Sequence, residues 1–282
     1  MTNSLLDFSQ RAELSLYAEV VADVEAAAAL LGAQVLIVGA FARDLRLLYR
    51  HGIPTRRETE DVDIALAMPD WATFETLRAR LIESGNFQAS GTALQGLRYR
   101  SGLPLDLVPF GRLETADRTI VWPPHGDTVM DVFGFQEALA SADRIVLPQN
   151  VQARLISLPA LALLKIVCWH DRHYRYPGKD AHDLNLIIRN YLIAGNEERL
   201  WYEFVAWTQE EGFDFESAGA RMLGHDIRSL LDNAGIERIA AILSEQSDQD
   251  VPGLLPSEMS AYETDQARAL LQIILREIRA SA

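Results

Sequence analysis

The chain has 282 residues, 49% of them hydrophobic, and a formal net charge of −14. It is long enough to bury a core as one large domain or two modest ones; its single cysteine, Cys168, excludes an internal disulfide, and its negative field opposes non-specific binding to nucleic acid. The most apolar stretch, 155–169, carries Pro159 and Lys165 and is too short to cross a bilayer, and residues 1–7 lack the pattern of a secretory signal, so a cytoplasmic protein without a membrane anchor is expected.

Apolar residues at helical spacing and an alanine run predict a first helix over 14–31, ended by Gly32. Residues 35–38 read as a buried strand that stops at Gly39-Ala40, and 41–49 as a helix beginning directly after that turn. The polar stretch 51–60, with Gly52 and Pro54, reads as a loop. Val62, Ile64 and Leu66 then alternate with Asp61, Asp63 and Ala65, the period of a half-buried strand. A helix over 71–84 follows, then a hairpin with arms 97–100 and 103–110 around Ser101-Gly102. Further strands are expected within 120–132 and at 144–147, with a short helical stretch near 136–140.

After Pro148 the texture changes to helical patterns at 158–170, 180–192, 197–211, 217–232, 236–244 and 260–280, with a linker-like stretch near 246–256. The expected fold class is therefore α+β: a mixed-sheet domain with flanking helices over 1–150, then a helical domain over 151–282.

The chemistry concentrates in the first half. In an extended strand Asp61 and Asp63 point to one face, with Cα atoms roughly 6 to 7 Å apart. Asp106, on a neighbouring strand, would add a third carboxylate there, and three such groups repel one another unless cations neutralise them. Magnesium suits the set, because it takes hard oxygen ligands and shares them with substrate phosphates. An Asp-x-Asp pair alone is a poor signal, since a second copy at 248–250 sits in an obvious loop and exposed strands carry such pairs anyway. The ordering of strand, glycine turn, helix, acid-bearing strand and second acid-bearing strand is much rarer. Gly39 reads either as a plain tight turn or as a place where phosphates approach the free N–H groups opening the next helix.

Lysine usage is the second informative feature, with two lysines against 24 arginines. Lys165 lies on an otherwise uncharged helical stretch, where it either snorkels to water or meets an anion. Lys179 and Asp180 open the next helix, with Asp183 one turn further along the same side. Arginines and histidines crowd 43–57 and 170–175, clusters that read equally as solvated surface.

Taken together, Gly39-Ala40, Asp61-Val62-Asp63, Asp106, Lys165 and the run Lys179-Asp180-Ala181-His182-Asp183-Leu184 resemble the DNA-polymerase-β-type nucleotidyltransferases, and within them the AbiEii group of abortive-infection toxins. The resemblance covers 35–110 and 158–192. It implies that Asp61 and Asp63 bind metal, that Asp106 also ligates metal and helps activate the acceptor hydroxyl, and that Lys165 contacts the triphosphate. Gly39, Ala40, Arg43, Lys179, Asp180 and Asp183 complete the expected phosphate and substrate set. The chain departs from the family in having Gly39-Ala40 where Gly-Gly or Gly-Ser is usual, and a longer interval between turn and acids.

The expectation is an enzyme that moves a nucleoside monophosphate from a triphosphate to a hydroxyl, using two Mg2+ ions or Mn2+ in their place. Its acceptor would be an RNA end, a protein or a small molecule, and a cognate antitoxin is a further expected partner. The competing expectation is a catalytically inactive nucleotide- or partner-binding module of the same fold.

Overall fold

The computed structural model describes residues 5–55, 59, 61–91, 93–124, 126, 128–248 and 253–280. Arg56, Arg57, Glu58 and Glu60 of the expected loop, His125 and Asp127 of the expected strand region, and residues 249–252 of the linker-like stretch lie outside the described residues. The chain divides into two compact units, residues 1–45 with 56–157, and residues 46–55 with 158–282.

The first unit runs β1 (Leu5–Asp7), α1 (Ser15–Ala29), β2 (Gln34–Val38), α2 (Gly39–Asp44), β3 (Val62–Met68), α3 (Trp71–Glu83), β4 (Phe87–Ala89), β5 (Gly96–Tyr99), β6 (Pro104–Gly111), β7 (Thr119–Trp122), β8 (Thr128–Asp131), α4 (Phe135–Ala140), β9 (Asp143–Leu147) and β10 (Val151–Leu155). Eight strands form a mixed sheet in the order β1-β9-β10-β2-β3-β6-β5-β4, while β7 and β8 pair as a separate two-stranded sheet. The expected hairpin is present as antiparallel β5 and β6.

The sheet's two faces follow from the alternation of side chains along each strand. Val62, Ile64, Leu66, Leu105 and Leu107 share one fully buried face. On that face Tyr99 Oη donates to Glu19 Oε2 of α1 at 3.3 Å, which shows that α1 packs there. Asp63, Ala65, Asp106 and Val108 share the opposite face. Asp70 caps α3 by accepting from Thr73 N at 2.8 Å, an interaction worth about 1 kcal/mol that fixes where the helix starts.

The helix expected at 41–49 differs in form: α2 ends at Asp44 and a π-helical turn, Leu45–Tyr49, follows. Leu155 closes β10, so the sheet takes in residues beyond 150. β1 and β4 are three residues each, too short to leave a periodic signal, and were not anticipated.

The second unit is built of α5 (Leu158–Arg172), α6 (Lys179–Asn190), α7 (Glu197–Tyr202), α8 (Phe215–Leu230), α9 (Asn233–Ser247), α10 (Leu254–Met259) and α11 (Thr264–Arg279). The helix expected over 197–211 is two pieces: α7 stops at Tyr202 and a 3-10 turn, Val205–Gln209, follows Phe204. Part of the linker-like stretch is α10, held because Gln246 Oε1 accepts from the backbone N–H groups of Leu254 and Leu255. Asp214 and Asp232 cap α8 and α9 as Asp70 caps α3. No helix among the described residues is long and apolar enough to cross a membrane.

Candidate active site

Strand register assembles the acids. β2 and β3 are antiparallel with Val38 opposite Asp63, and β3 and β6 are parallel with Asp63 opposite Asp106. Registered partners share a face of the sheet, so the two carboxylates are neighbours. Asp61 immediately precedes β3 and joins them: one oxygen from each of Asp61, Asp63 and Asp106 lies within 4.8 Å of the others. All three residues are half-buried. They make up a donor set of hard oxygens with the spacing that a divalent cation bridges.

Gly39 follows the residue that faces Asp63, and two constraints demand glycine there. Its φ is +67°, and a Cβ built on it would sit 1.8 Å from Asp63 Oδ2. The chain can therefore turn tightly over the carboxylate only because nothing projects from that position. Ala40 is buried, leaving its backbone as the part that can meet a ligand.

Gly96 is a residue that sequence reasoning missed. It lies directly across from Asp106, and a Cβ there would fall 3.1 Å from the Ser90 carbonyl oxygen and 3.8 Å from Asp106 Oδ1, so the close approach of Ser90 favours glycine beside the acid. The available signal was a glycine at the start of a hairpin arm.

The charged residues expected to hold phosphates are placed differently. Arg43 is buried, and its Nε and Nη2 both donate to Asp44 Oδ1, at 2.8 and 2.6 Å. The second oxygen of Asp44 accepts from Thr59 Oγ1, two residues before Asp61. Arg43 is thus engaged in a brace between α2 and the chain leading into the acids.

Lys165 meets an anion, as one of the two sequence readings required, but that anion is supplied by the chain itself. Its Nζ lies 2.9 Å from Asp180 Oδ1 and 2.6 Å from Asp183 Oδ2, and Arg172 Nε lies 3.0 Å from Asp180 Oδ2. Burial alone would lower the Lys165 ammonium, but Asp180 and Asp183 outweigh it and hold the group above its ordinary range. For Asp180, burial pushes upward while Lys165 and Arg172 prevail, bringing it down to about 2. Lys179 is half-buried, with its Nζ 5.9 Å from the Tyr176 ring centroid. The acids belong to the first unit; Lys165, Lys179, Asp180 and Asp183 belong to the second.

A family model described as nucleotidyl transferase AbiEii toxin, type IV TA system, matches residues 24–269. The chain belongs to this family. It is accordingly a nucleotidyltransferase of a toxin–antitoxin family, with the mixed-sheet and helical architecture expected of one. Among solved structures, ANT(2″)-Ia in complex with adenylyl-2″-tobramycin is similar at 15% identity and a TM-score of 0.39, covering 68% of this chain and 96% of its own. A solution structure of the antibiotic-resistance factor ANT(2″)-Ia is similar at 14% identity and a TM-score of 0.40, covering 69% of this chain and 92% of its own. The Thermotoga maritima CCA-adding enzyme complexed with tRNA is similar at 12% identity and a TM-score of 0.24, covering 95% and 83%. Among curated proteins, none matches.

Two predictions follow from the geometry of this AbiEii-family site. Gly39→Ala drives a methyl group into Asp63, so nucleotidyl transfer falls about 100-fold or more while the far-ultraviolet spectrum stays native; a variant with full activity contradicts the close approach. The folded-state value of Asp180 lies below its ordinary value of 3.8, so its contribution is complete above pH 3.8 and is lost as pH falls through about 2. Asp180→Asn should remove on the order of 2 kcal/mol of acid-dependent stability across that window in urea titrations, and an unchanged acid limb refutes the assignment.

Proposed function

We propose that this AbiEii-family nucleotidyltransferase is metal-dependent and transfers a nucleoside monophosphate from a triphosphate to a hydroxyl acceptor, with the sheet-bearing unit, residues 1–45 with 56–157, carrying the metal acids and the second unit forming a helical domain. The observation that carries the reading is the meeting of Asp61, Asp63 and Asp106 beside a turn that only glycine can make. Asp61 and Asp63 hold divalent cations, Mg2+ or Mn2+. Bound there, such cations neutralise phosphate charge and lower the barrier to in-line displacement.

Asp106, in register with Asp63, ligates metal and receives the proton leaving the acceptor hydroxyl as that oxygen bonds to the α-phosphorus. The bond that breaks joins the α-phosphorus to the bridging oxygen, and the leaving group is pyrophosphate. Gly39 and Ala40 present backbone N–H groups to the triphosphate. Arg43 acts through Asp44 and Thr59 as a positioning residue. Of the expected second-unit residues, Lys179, whose ammonium lies over the Tyr176 ring, keeps the assignment of a phosphate-binding residue. Lys165, Asp180 and Asp183 form an ion cluster that ties α5 to α6.

The acceptor is an RNA end, a protein or a small molecule, and the strongly acidic chain suits a cationic small molecule or protein at least as well as RNA. The setting is a cytoplasmic toxin–antitoxin or phage-defence module with a cognate antitoxin. The test offers each labelled triphosphate with total RNA, lysate protein and aminoglycosides. Wild-type protein transfers label to one acceptor class, chelation abolishes it, and Asp63→Asn lowers it at least about 100-fold. Transfer that survives Asp63→Asn contradicts the role given to that acid; the absence of transfer with every acceptor favours the catalytically inactive binding module, for which Gly39-Ala40 in place of the usual turn is the supporting observation.

A further inference from the structure

A second polar site lies on the sheet, two and three strands from the acids. Arg144 on β9 and Arg154 on β10 are directly opposite each other in the antiparallel ladder. Directly opposed side chains of this kind have Cβ atoms about 5 Å apart, and like charges so placed are destabilising. A chain with 40 acidic residues has ample means to neutralise them, yet neither arginine forms an ion pair with a carboxylate among the described residues. Gln152 Oε1 lies 3.5 Å from Arg144 Nη2.

Register also decides which face the pair occupies. Leu155 pairs with Ile37, and Ile37 with Ile64, on the fully buried face. Arg154, one residue earlier, therefore alternates onto the opposite face, level with Leu36 and Ala65, which is the face of Asp63 and Asp106. Strand spacing places the Arg154 Cα roughly 12 Å from that of Asp63. Arg144, Arg154, Gln152 and Gln34 line a crevice of about 590 Å³.

Glu25 lines the same crevice and interacts electrostatically with Arg154. Burial raises its carboxyl to about 7, with Arg154 acting in the opposite sense. Beside that one carboxyl the crevice offers two guanidinium forks and two side-chain amides, donors suited to the oxygens of a phosphate group.

We infer that Arg144 and Arg154 form a phosphate-binding subsite on the same sheet face as the acid cluster and separate from it. Its ligand is a phosphate-type oxyanion, either a phosphodiester of the acceptor or a free phosphate or pyrophosphate. Its catalytic relevance rests on the proposed role of the acids, but its existence does not.

The test measures binding by calorimetry, with neither triphosphate nor divalent cation present, using inorganic phosphate, pyrophosphate and a single-stranded oligonucleotide as separate probes. Wild-type protein binds at least one of them, and the double variant Arg144→Gln, Arg154→Gln weakens that binding at least about tenfold. The unliganded double variant melts at or above the wild-type temperature, because a like-charge pair has been removed, so the loss is not unfolding. The corresponding double lysine variant, which keeps the charge but not the fork, falls between the two. Because the binding is read without triphosphate or divalent cation, its failure is distinct from any failure of the catalytic reading. Oligonucleotide binding that depends on the arginines assigns the subsite to the acceptor; binding of the inorganic ions alone assigns it to free anions. Wild-type protein that binds none of the three probes, or a double glutamine variant that binds as wild type, overturns the inference.

Discussion

Three carboxylates within 4.8 Å of one another are costly. At an effective dielectric of about 20, each like-charged pair at that spacing opposes folding by about 3 kcal/mol. The arrangement persists because the acids are fixed by the backbone ladder and not by side-chain choice: Asp63 and Asp106 are opposite each other in seven consecutive registered pairs of β3 and β6. A shift of β3 by one residue would turn Asp63 to the buried face, where Val62 and Ile64 now pack, and part it from Asp106. Apolar burial on one side of the sheet thereby holds charge together on the other.

The remaining local features serve that constraint. β2 delivers Gly39 against Asp63, and the missing side chain lets the turn close over the carboxylate. Gly96 lies in register beside Asp106 on the other side, where Ser90 packs closely. The Arg43–Asp44–Thr59 chain of contacts ties α2 to the segment that leads into Asp61. In the second unit, the ion cluster of Lys165, Arg172, Asp180 and Asp183 does comparable work between α5 and α6, where loss of one partner would strand a buried charge at a cost of about 3 to 5 kcal/mol.

The acids were legible in the sequence because their signal is local: alternation places Asp61 and Asp63, and a hairpin arm places Asp106 on a strand. The roles of Arg43 and Lys165 were less legible for a physical reason. Which anion a buried cation meets depends on partners fixed by packing, and Asp180 reaches Lys165 across 15 residues only once α5 and α6 are together. Helical periodicity located the second unit's longer helices but carried 197–211 through as one, although the chain breaks after Tyr202. Short strands such as β1 and β4 owe their existence to their neighbours in the sheet and leave little trace of their own. The arginine pair was equally hidden, since it exists only through the β9–β10 register.

The most direct test of the central claim is anomalous scattering from crystals of the wild-type protein soaked in Mn2+. The expected result is manganese density within coordinating distance of carboxylate oxygens of Asp61, Asp63 and Asp106 together, lost in Asp63→Asn crystals. Manganese bound elsewhere, or three carboxylates that stay together without taking up the ion, would contradict it.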